Sequence, residues 1–304
     1  MLKAVAIFNR NTKNSRPFKD YYVQWFNTLK NDLLPLLRRS LSHPNSLTIL
    51  STHVELLHQH FQSFYHALDL SASNDVAHLL FPDWRNSLEK PLLWLGDLHP
   101  YLFTNLVRSF LQDDDDDDDY DGVNDIHQIR SDNRIADLSE FRLRSDLNPS
   151  EVTDPFSDKP WQVAMAWRNP SEALISRMDE IERGLREIVP ALNARVREAE
   201  ARFVDRVVDK WYPCRERKEE AKVAVGSTLE AHMEELVSVF LDANRLRRSV
   251  IGEIVGETSV YQGALFLEAL AQFLIGFRDQ DLQVTASTGS NRHHHHRLHH
   301  RRRC

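Results

Sequence analysis

Residues 47–69 read LTILSTHVELLHQHFQSFYHALD, and Leu50, Val54, Leu57, Phe61, Phe64 and Leu68 recur in that stretch at steps of three and four. Side chains spaced this way share one face of an α-helix, whereas a strand would scatter them over both of its faces. The same period extends outward. Upstream, Phe18, Tyr22, Trp25, Leu29, Leu33 and Leu36 form a stripe, with Pro35 predicted to kink or end that helix. Downstream, a Ser/Asn turn at 71–74 is expected to lead into a short helix over 75–81, stopped near Pro82. A segment bracketed by Trp84 and Trp94 follows, and an apolar helix over Leu102–Leu111 closes this half.

The composition then breaks. Asp113–Asp119 are seven consecutive aspartates, and the chain stays polar to Pro160. Like-charge repulsion and a shortage of core-forming residues predict disorder there. Helical pattern returns beyond Trp161. Asn169-Pro170-Ser171-Glu172 reads as a helix start, with Asn169 as the capping side chain. Leu174, Met178, Ile181, Leu185 and Ile188 continue past Pro190 as Leu192, Val196, Ala199, Phe203 and Val207, which predicts one long helix kinked at Pro190. A further stripe runs through Leu236, Phe240, Ala243, Leu246 and Val250. Ser259 and Gln262 form a Ser-x-x-Gln capping box before a last helix that buries Ala264, Leu267, Leu270, Leu274 and Phe277. No period-two strand pattern and no repeat stands out. The expected fold is all-α, a multi-helix bundle in two packed halves. Residues 1–17 are a flexible N-terminus, 18–112 one helical half, 113–160 a disordered acidic linker, 161–280 the second half and 281–304 a disordered His/Arg tail.

The charge distribution limits the function classes. Of the net −7, residues 113–121 contribute −8 and the tail from Asp281 contributes +4, which leaves −3 on the rest. No global field steers such a body to nucleic acid. Only 9 glycines are present, and neither Gly-x-Gly-x-x-Gly nor a P-loop occurs. The cysteines are Cys214 and Cys304 alone, not a disulfide framework, so a reducing compartment is expected. Ala4–Phe8 is too short for a secretory signal, and Ala264–Ile275, broken by Glu268 and Gln272, is too short to span a bilayer.

Several constellations invite chemistry. His53, His58, His60 and His66 lie on one predicted helix, but His58 and His60 point away from each other, and polar-face or partly buried histidines are the default. His293–His296, His299 and His300 could chelate a divalent metal without a closed shell. Asp117, Asp119, Asp121 and Gly122 match the first half of a calcium loop, yet Gln128 stands where the bidentate glutamate belongs, so a solvated acidic linker is the default. Cys214 sits beside Arg215, Arg217 and Lys218, cations that could lower its pKa, but a structural or incidental cysteine is the default. Arg245, Arg247 and Arg248 read as a solvated helix face. With no Gly-x-Ser-x-Gly or similar signature, no catalytic residue and no cofactor is assigned, and a non-enzymatic role is expected.

One set of residues carries a family likeness. It comprises Phe18-x-x-Tyr21-Tyr22-x-x-Trp25, His60-Phe61-x-x-Phe64-Tyr65, Asp75-Val76, Pro82-x-Trp84-x-x-x-Leu88-Glu89, Leu93-Trp94-Leu95-Gly96 and Pro100. The pattern resembles the plant seed-dormancy-control domain, also found in the C-terminal part of leucine-zipper factors that bind TGACG elements. It covers 18–111 and, more loosely, 161–278, where the Gln262 helix start agrees. Trp25, Tyr65, Trp84, Glu89, Trp94, Gly96 and Gln262 are the structural signature, with the tryptophans as buried anchors and Glu89 in need of a partner such as Arg85. Where the family often reads Gly-Gly-Trp-x-Pro, this chain has Gly96-Asp97-Leu98-His99-Pro100, which points the loop to a different partner.

The aspartate run and the missing zipper are most like the branch of that family concerned with pollen apertures. That resemblance implies a scaffold that marks plasma-membrane domains kept free of exine, with aperture factors as protein partners, and a cytoplasmic location at the membrane periphery. The tail adds peripheral contact with anionic lipid, and self-association is open. Seventeen residues before the first helix cannot form a basic region and zipper, so sequence-specific DNA binding is not expected. Two alternatives stay open: a nuclear co-regulator docking onto TGACG-binding zipper factors, and a sensor of haem, lipid or calcium. For haem, His232 is the only histidine of the second half before the tail.

Overall fold

In the computed structural model, residues 18–42, 46–111 and 165–278 are described. Seven helices carry them: α1 (Phe18–Thr28), α2 (Leu34–Ser42), α3 (Leu47–Leu80), α4 (Tyr101–Leu111), α5 (Glu172–Cys214), α6 (Lys218–Glu257) and α7 (Val260–Gly276). The acidic run, with Asp117, Asp119 and Asp121, and the His/Arg tail lie outside the described residues.

Pro35 does not end the first helical pattern. A π-helical turn at Leu29–Leu33, closed by the Leu34 N–H on the Leu29 carbonyl, joins α1 to α2. The wide turn sits just where proline withholds a backbone donor and crowds the preceding turn. The expected turn at 71–74 is helical instead, and the break is confined to Asp75 (φ −160°, ψ 72°). The Asp75 carboxylate accepts the His78 N–H (3.1 Å) and so caps the restarted helix. In α5 the capping residue is Ser171 rather than Asn169, its Oγ accepting from Leu174 N (3.1 Å). Helical conformation runs unbroken through Pro190 and Pro213, over 43 residues.

Contacts divide the chain into two units, Met1–Leu106 with Ser171–Cys304, and Val107–Pro170. In the second, Phe110 packs its ring 5.2 Å from that of Trp167. In the first, helices from both ends of the sequence share one core. The helix α3 packs on α1, α2, α6 and α7. The stripe predicted over 47–69 is buried as expected, with Leu57 at 0% exposure and Phe61 and Phe64 at 3%. Helix α7 is buried on all sides from Gln262 to Ala271, so it is a central helix rather than an amphipathic one. Its Glu268 meets Arg38 at 2.9 Å. The capping box is present: Ser259 Oγ accepts from Gln262 N, and the Gln262 side chain accepts from Ser259 N.

No strand pattern is legible in the sequence, yet two short strands form a hairpin between α3 and α4. Strands β1 (Leu93–Trp94) and β2 (Asp97–Leu98) pair antiparallel, Leu93 with Leu98 and Trp94 with Asp97. Leu95 (φ 46°) and Gly96 (φ 88°) make the turn, both with positive φ, as a type I′ hairpin turn requires.

Candidate functional site

Six of the seven signature residues gather around that hairpin or beneath it. Asn86 starts the arrangement. Its side-chain oxygen accepts from Leu88 N (2.8 Å) and Glu89 N (2.9 Å), while Glu89 Oε2 accepts from Asn86 N (2.9 Å). This local turn aims Glu89 inward. Asn86 Nδ2 also donates to the Phe277 carbonyl (2.6 Å), and Arg278 Nη2 donates to that of Trp84 (2.8 Å), so the turn is fastened to the end of α7.

Inside lies an ionic network. Arg85 donates to Glu89 Oε1 (3.0 Å) and, through its other arm, to Asp97 Oδ1. Arg247 donates to the carbonyls of Leu98 (2.8 Å), Asp97 (3.2 Å), Leu95 (3.3 Å) and Trp94, and to Asn244 Oδ1 (2.8 Å). Its guanidinium thus clamps the whole hairpin onto α6. The four ions, Arg85, Glu89, Asp97 and Arg247, are each at most 3% exposed. Arg85 and Arg247 face Glu89 and Asp97, Arg278 Nε stands a further 3.9 Å from Glu89 Oε1, and the planar forks of arginine supply the donors that a buried carboxylate or carbonyl cluster needs.

The electrostatics follow from this enclosure. Burial pulls Arg85 down, but Asp97, Tyr22 and Glu89 outweigh it and hold the guanidinium above its usual range. Arg247 is pulled down by burial despite Asp97. Burial pushes Tyr22 up to about 12, and Tyr65 well above its ordinary value, the latter helped by Asp97, to which Tyr65 is hydrogen-bonded. Arg85 and Arg278 both lie over the Tyr22 ring, at 4.8 and 4.7 Å.

Around the network stand the tryptophans. Trp84 is 8% exposed and packs on Phe18 and Tyr22. Trp25 stacks on His60 (4.9 Å), and each ring donates to the other residue's carbonyl at 3.0 Å. Burial therefore lowers His60 to about 4, against the smaller pull of the Trp25 carbonyl. Trp94 is half-buried, not a fully buried anchor. Its Nε1 donates to Asn193 Oδ1 (2.8 Å), and it packs on Leu192, Val239 and Ala243. At Gly96 an added Cβ would stand 2.5 Å from the Leu79 carbonyl oxygen and 2.9 Å from the Phe240 ring. Gln262 lies apart from this cluster, in the cap of α7.

One reading of the sequence is corrected here. Arg247 is not on a solvated face: it is fully buried, while Arg245 is exposed and Arg248 half-buried. Asp97 of the 96–100 loop faces Arg85 inside. The available signal was a charge in apolar register, Asp97 between Trp94 and Leu98 and Arg247 on one helix face with Ala243 and Val250.

The network's chemistry is that of a clasp. A void beside it, lined by Trp25, Tyr65, Arg85 and Asp97 among others, has a volume of about 10 Å³, room for one water. An open groove of about 560 Å³ lies elsewhere, along α3 from Leu47 to Gln59 and against Val260. Among the described residues no group of three or more His, Cys, Asp or Glu side chains could hold a metal ion. Nor is any helix among them long and apolar enough to cross a membrane.

Comparison with known proteins gives a consistent result. Residues 33–109 match a family model described as seed dormancy control, a span that holds Tyr65, Trp84, Glu89, Trp94 and Gly96. The chain is 43% identical over 287 residues to Protein INAPERTURATE POLLEN1 of Arabidopsis thaliana, covering 91% of this chain and 95% of the relative. It is 31% identical over 287 residues to the INAPERTURATE POLLEN 1 homolog of Oryza sativa subsp. japonica, covering 90% and 92%.

Proposed function

Because this chain belongs to the Inaperturate Pollen family of seed-dormancy-control proteins, we propose that it acts in forming pollen apertures, as a non-enzymatic scaffold that marks plasma-membrane domains and keeps exine from them. The observation that carries this reading is the 43% identity, which extends along 95% of a relative named for pollen apertures. The clasp is compatible with it. Its ionisable groups are spent on one another beneath the hairpin, and the helices' outer surfaces are what remains to meet aperture factors. Contact with the membrane is peripheral in this reading, through anionic lipid at the Arg/His-rich tail.

The test is complementation. Plants that lack the Arabidopsis relative and express this chain, tagged for imaging, should regain apertures, with the protein at the cell cortex beneath them. Pollen left without apertures despite accumulation of the chain would refute the reading. Removing 291–304 should weaken liposome binding and cortical placement, and unchanged placement would remove the lipid contact. Exclusive nuclear location with co-purification of a TGACG-binding zipper factor would favour a co-regulator instead.

A further inference from the structure

The helices α5 and α6 run antiparallel, and among the described residues their far ends meet each other through Arg202 and Arg206 on Glu235 at 3.1 and 3.2 Å and through Phe203 stacked on His232 at 4.6 Å. A helix of 43 residues is about 65 Å long, so this hairpin forms an arm. Its two edges differ. At about 100° per residue, Arg195, Arg202 and Arg206 fall on one side of the α5 seam, and their partners Asp242 and Glu235 fall on the matching side of α6. That edge is zipped by ion pairs. The opposite edge of α5 carries Val204 (58% exposed), Val208 (56%) and Trp211 (44%), and the same edge of α6 carries Leu229 (44%) and the half-buried Met233 and Val237. Exposed apolar residues at steps of three and four on both helices, on one side of an arm, form a face rather than a scatter.

The charges on that face are arranged about its centre. At about 100° per residue Glu200 extends the α5 stripe one turn before Val204, and Arg215, the residue after α5, continues it one turn beyond Trp211; both are exposed, opposite in sign, and equally far in sequence from the midpoint between Val207 and Val208. Antiparallel apposition of two copies about a two-fold axis at Val207–Val208 would set Glu200 of each against Arg215 of the other and Val204 against Trp211. A parallel register would set like against like. Such self-complementarity is what an isologous interface requires.

We propose that this chain forms a homodimer through the apolar edge of the α5–α6 arm, two arms packing antiparallel as a four-helix bundle. The proposal stands independently of the role in aperture formation. Its test is the mass of the full chain in solution, by light scattering and sedimentation over a concentration series. The native chain should be dimeric at micromolar concentration, and Val208→Glu should be monomeric with unchanged helical circular dichroism. Glu200→Arg and Arg215→Glu should each weaken the dimer about tenfold, by setting like charges together twice per interface, and the double swap should restore it. Both positions are exposed, so loss of fold does not confuse the reading. A native chain that stays monomeric to about 100 μM overturns the proposal, since a dimer that weak is no specific assembly. So does a dimer indifferent to Val208→Glu, or a double swap no better than the single ones.

Discussion

Arg85 and Arg202 meet carboxylates at almost the same distance, 3.0 Å to Glu89 and 3.1 Å to Glu235, yet the Arg85 side chain is 2% exposed and the Arg202 side chain 47%. The pair near the root of the hairpin lies in protein, and the pair on the arm lies in water. Attraction at a given distance is screened strongly in the second place and weakly in the first, while each buried ion has already lost its hydration. Ion pairs of equal geometry thus do different things. The buried set fixes where the β-hairpin sits, and the exposed set zips one edge of an arm.

The largest expected effect comes from breaking the buried set. Arg85→Met removes the cation between Glu89 and Asp97, leaving Glu89 the longer contact with Arg278 (3.9 Å) and depriving Asp97 of its ion-pair partner. Loss of one partner from a buried pair costs about 3–5 kcal/mol. Denaturant unfolding followed by tryptophan fluorescence should show a midpoint lowered accordingly. An unchanged midpoint would mean the clasp holds nothing. Gly96→Ala follows. It forces a Cβ to within 2.5 Å of the Leu79 carbonyl at a φ of 88° that L-residues rarely adopt. The cost is about 1–3 kcal/mol in the same measurement.

The histidines around the clasp give a pH dependence. His60 is held at about 4 by burial, and His99 at about 4 by burial and then by Arg247. Both lie below the ordinary value of about 6.5, so between those limits the unfolded chain binds more protons than the folded one. Stability should therefore be full above pH 6.5 and fall as the pH drops towards 4. His60→Gln should flatten the slope. Trp25, stacked on His60, supplies the fluorescence readout, and a stability flat from pH 7 to 4.5 would contradict the buried, uncharged His60.

What could be read in the sequence divides along the same line. Apolar periodicity exposes helices, because burial of a stripe repeats with the helix; hence the stripe of α3 and the Ser259–Gln262 cap are where the pattern puts them, whereas in α5 Val189 is buried and Ile188 is 42% exposed, and beyond the π-helical turn Leu37 rather than Leu36 is buried. It does not expose the clasp. Arg247 and Asn244 sit on α6 while Asp97 is some 150 residues earlier, and no local spacing announces that they meet. A charge near other charges, as in Arg245-x-Arg247-Arg248, reads as solvated unless its partners are known. The hairpin was hidden for another reason. Its strands have two residues each, too short for any alternation, and they are held by Arg247 and by the turn at Leu95-Gly96 rather than by their own pattern. Glu89 was the readable part, because a carboxylate four residues after Arg85 in an apolar segment asks for that pairing.

The smallest expected effect lies on the arm. Arg202→Ala removes hydrogen bonds to Glu235 and a contact with Glu198, all at the surface. Exposed pairs contribute little because water and salt already screen them and long side chains lose freedom in making them. Arg206 also remains on Glu235 at 3.2 Å. The unfolding midpoint should not move within error, at low or high salt, whereas that of Arg85→Met should stay depressed at both. A large, salt-sensitive loss from Arg202→Ala would show that the arm's charged edge contributes to the fold as the clasp does. Burial would then not be the variable that separates the two regions.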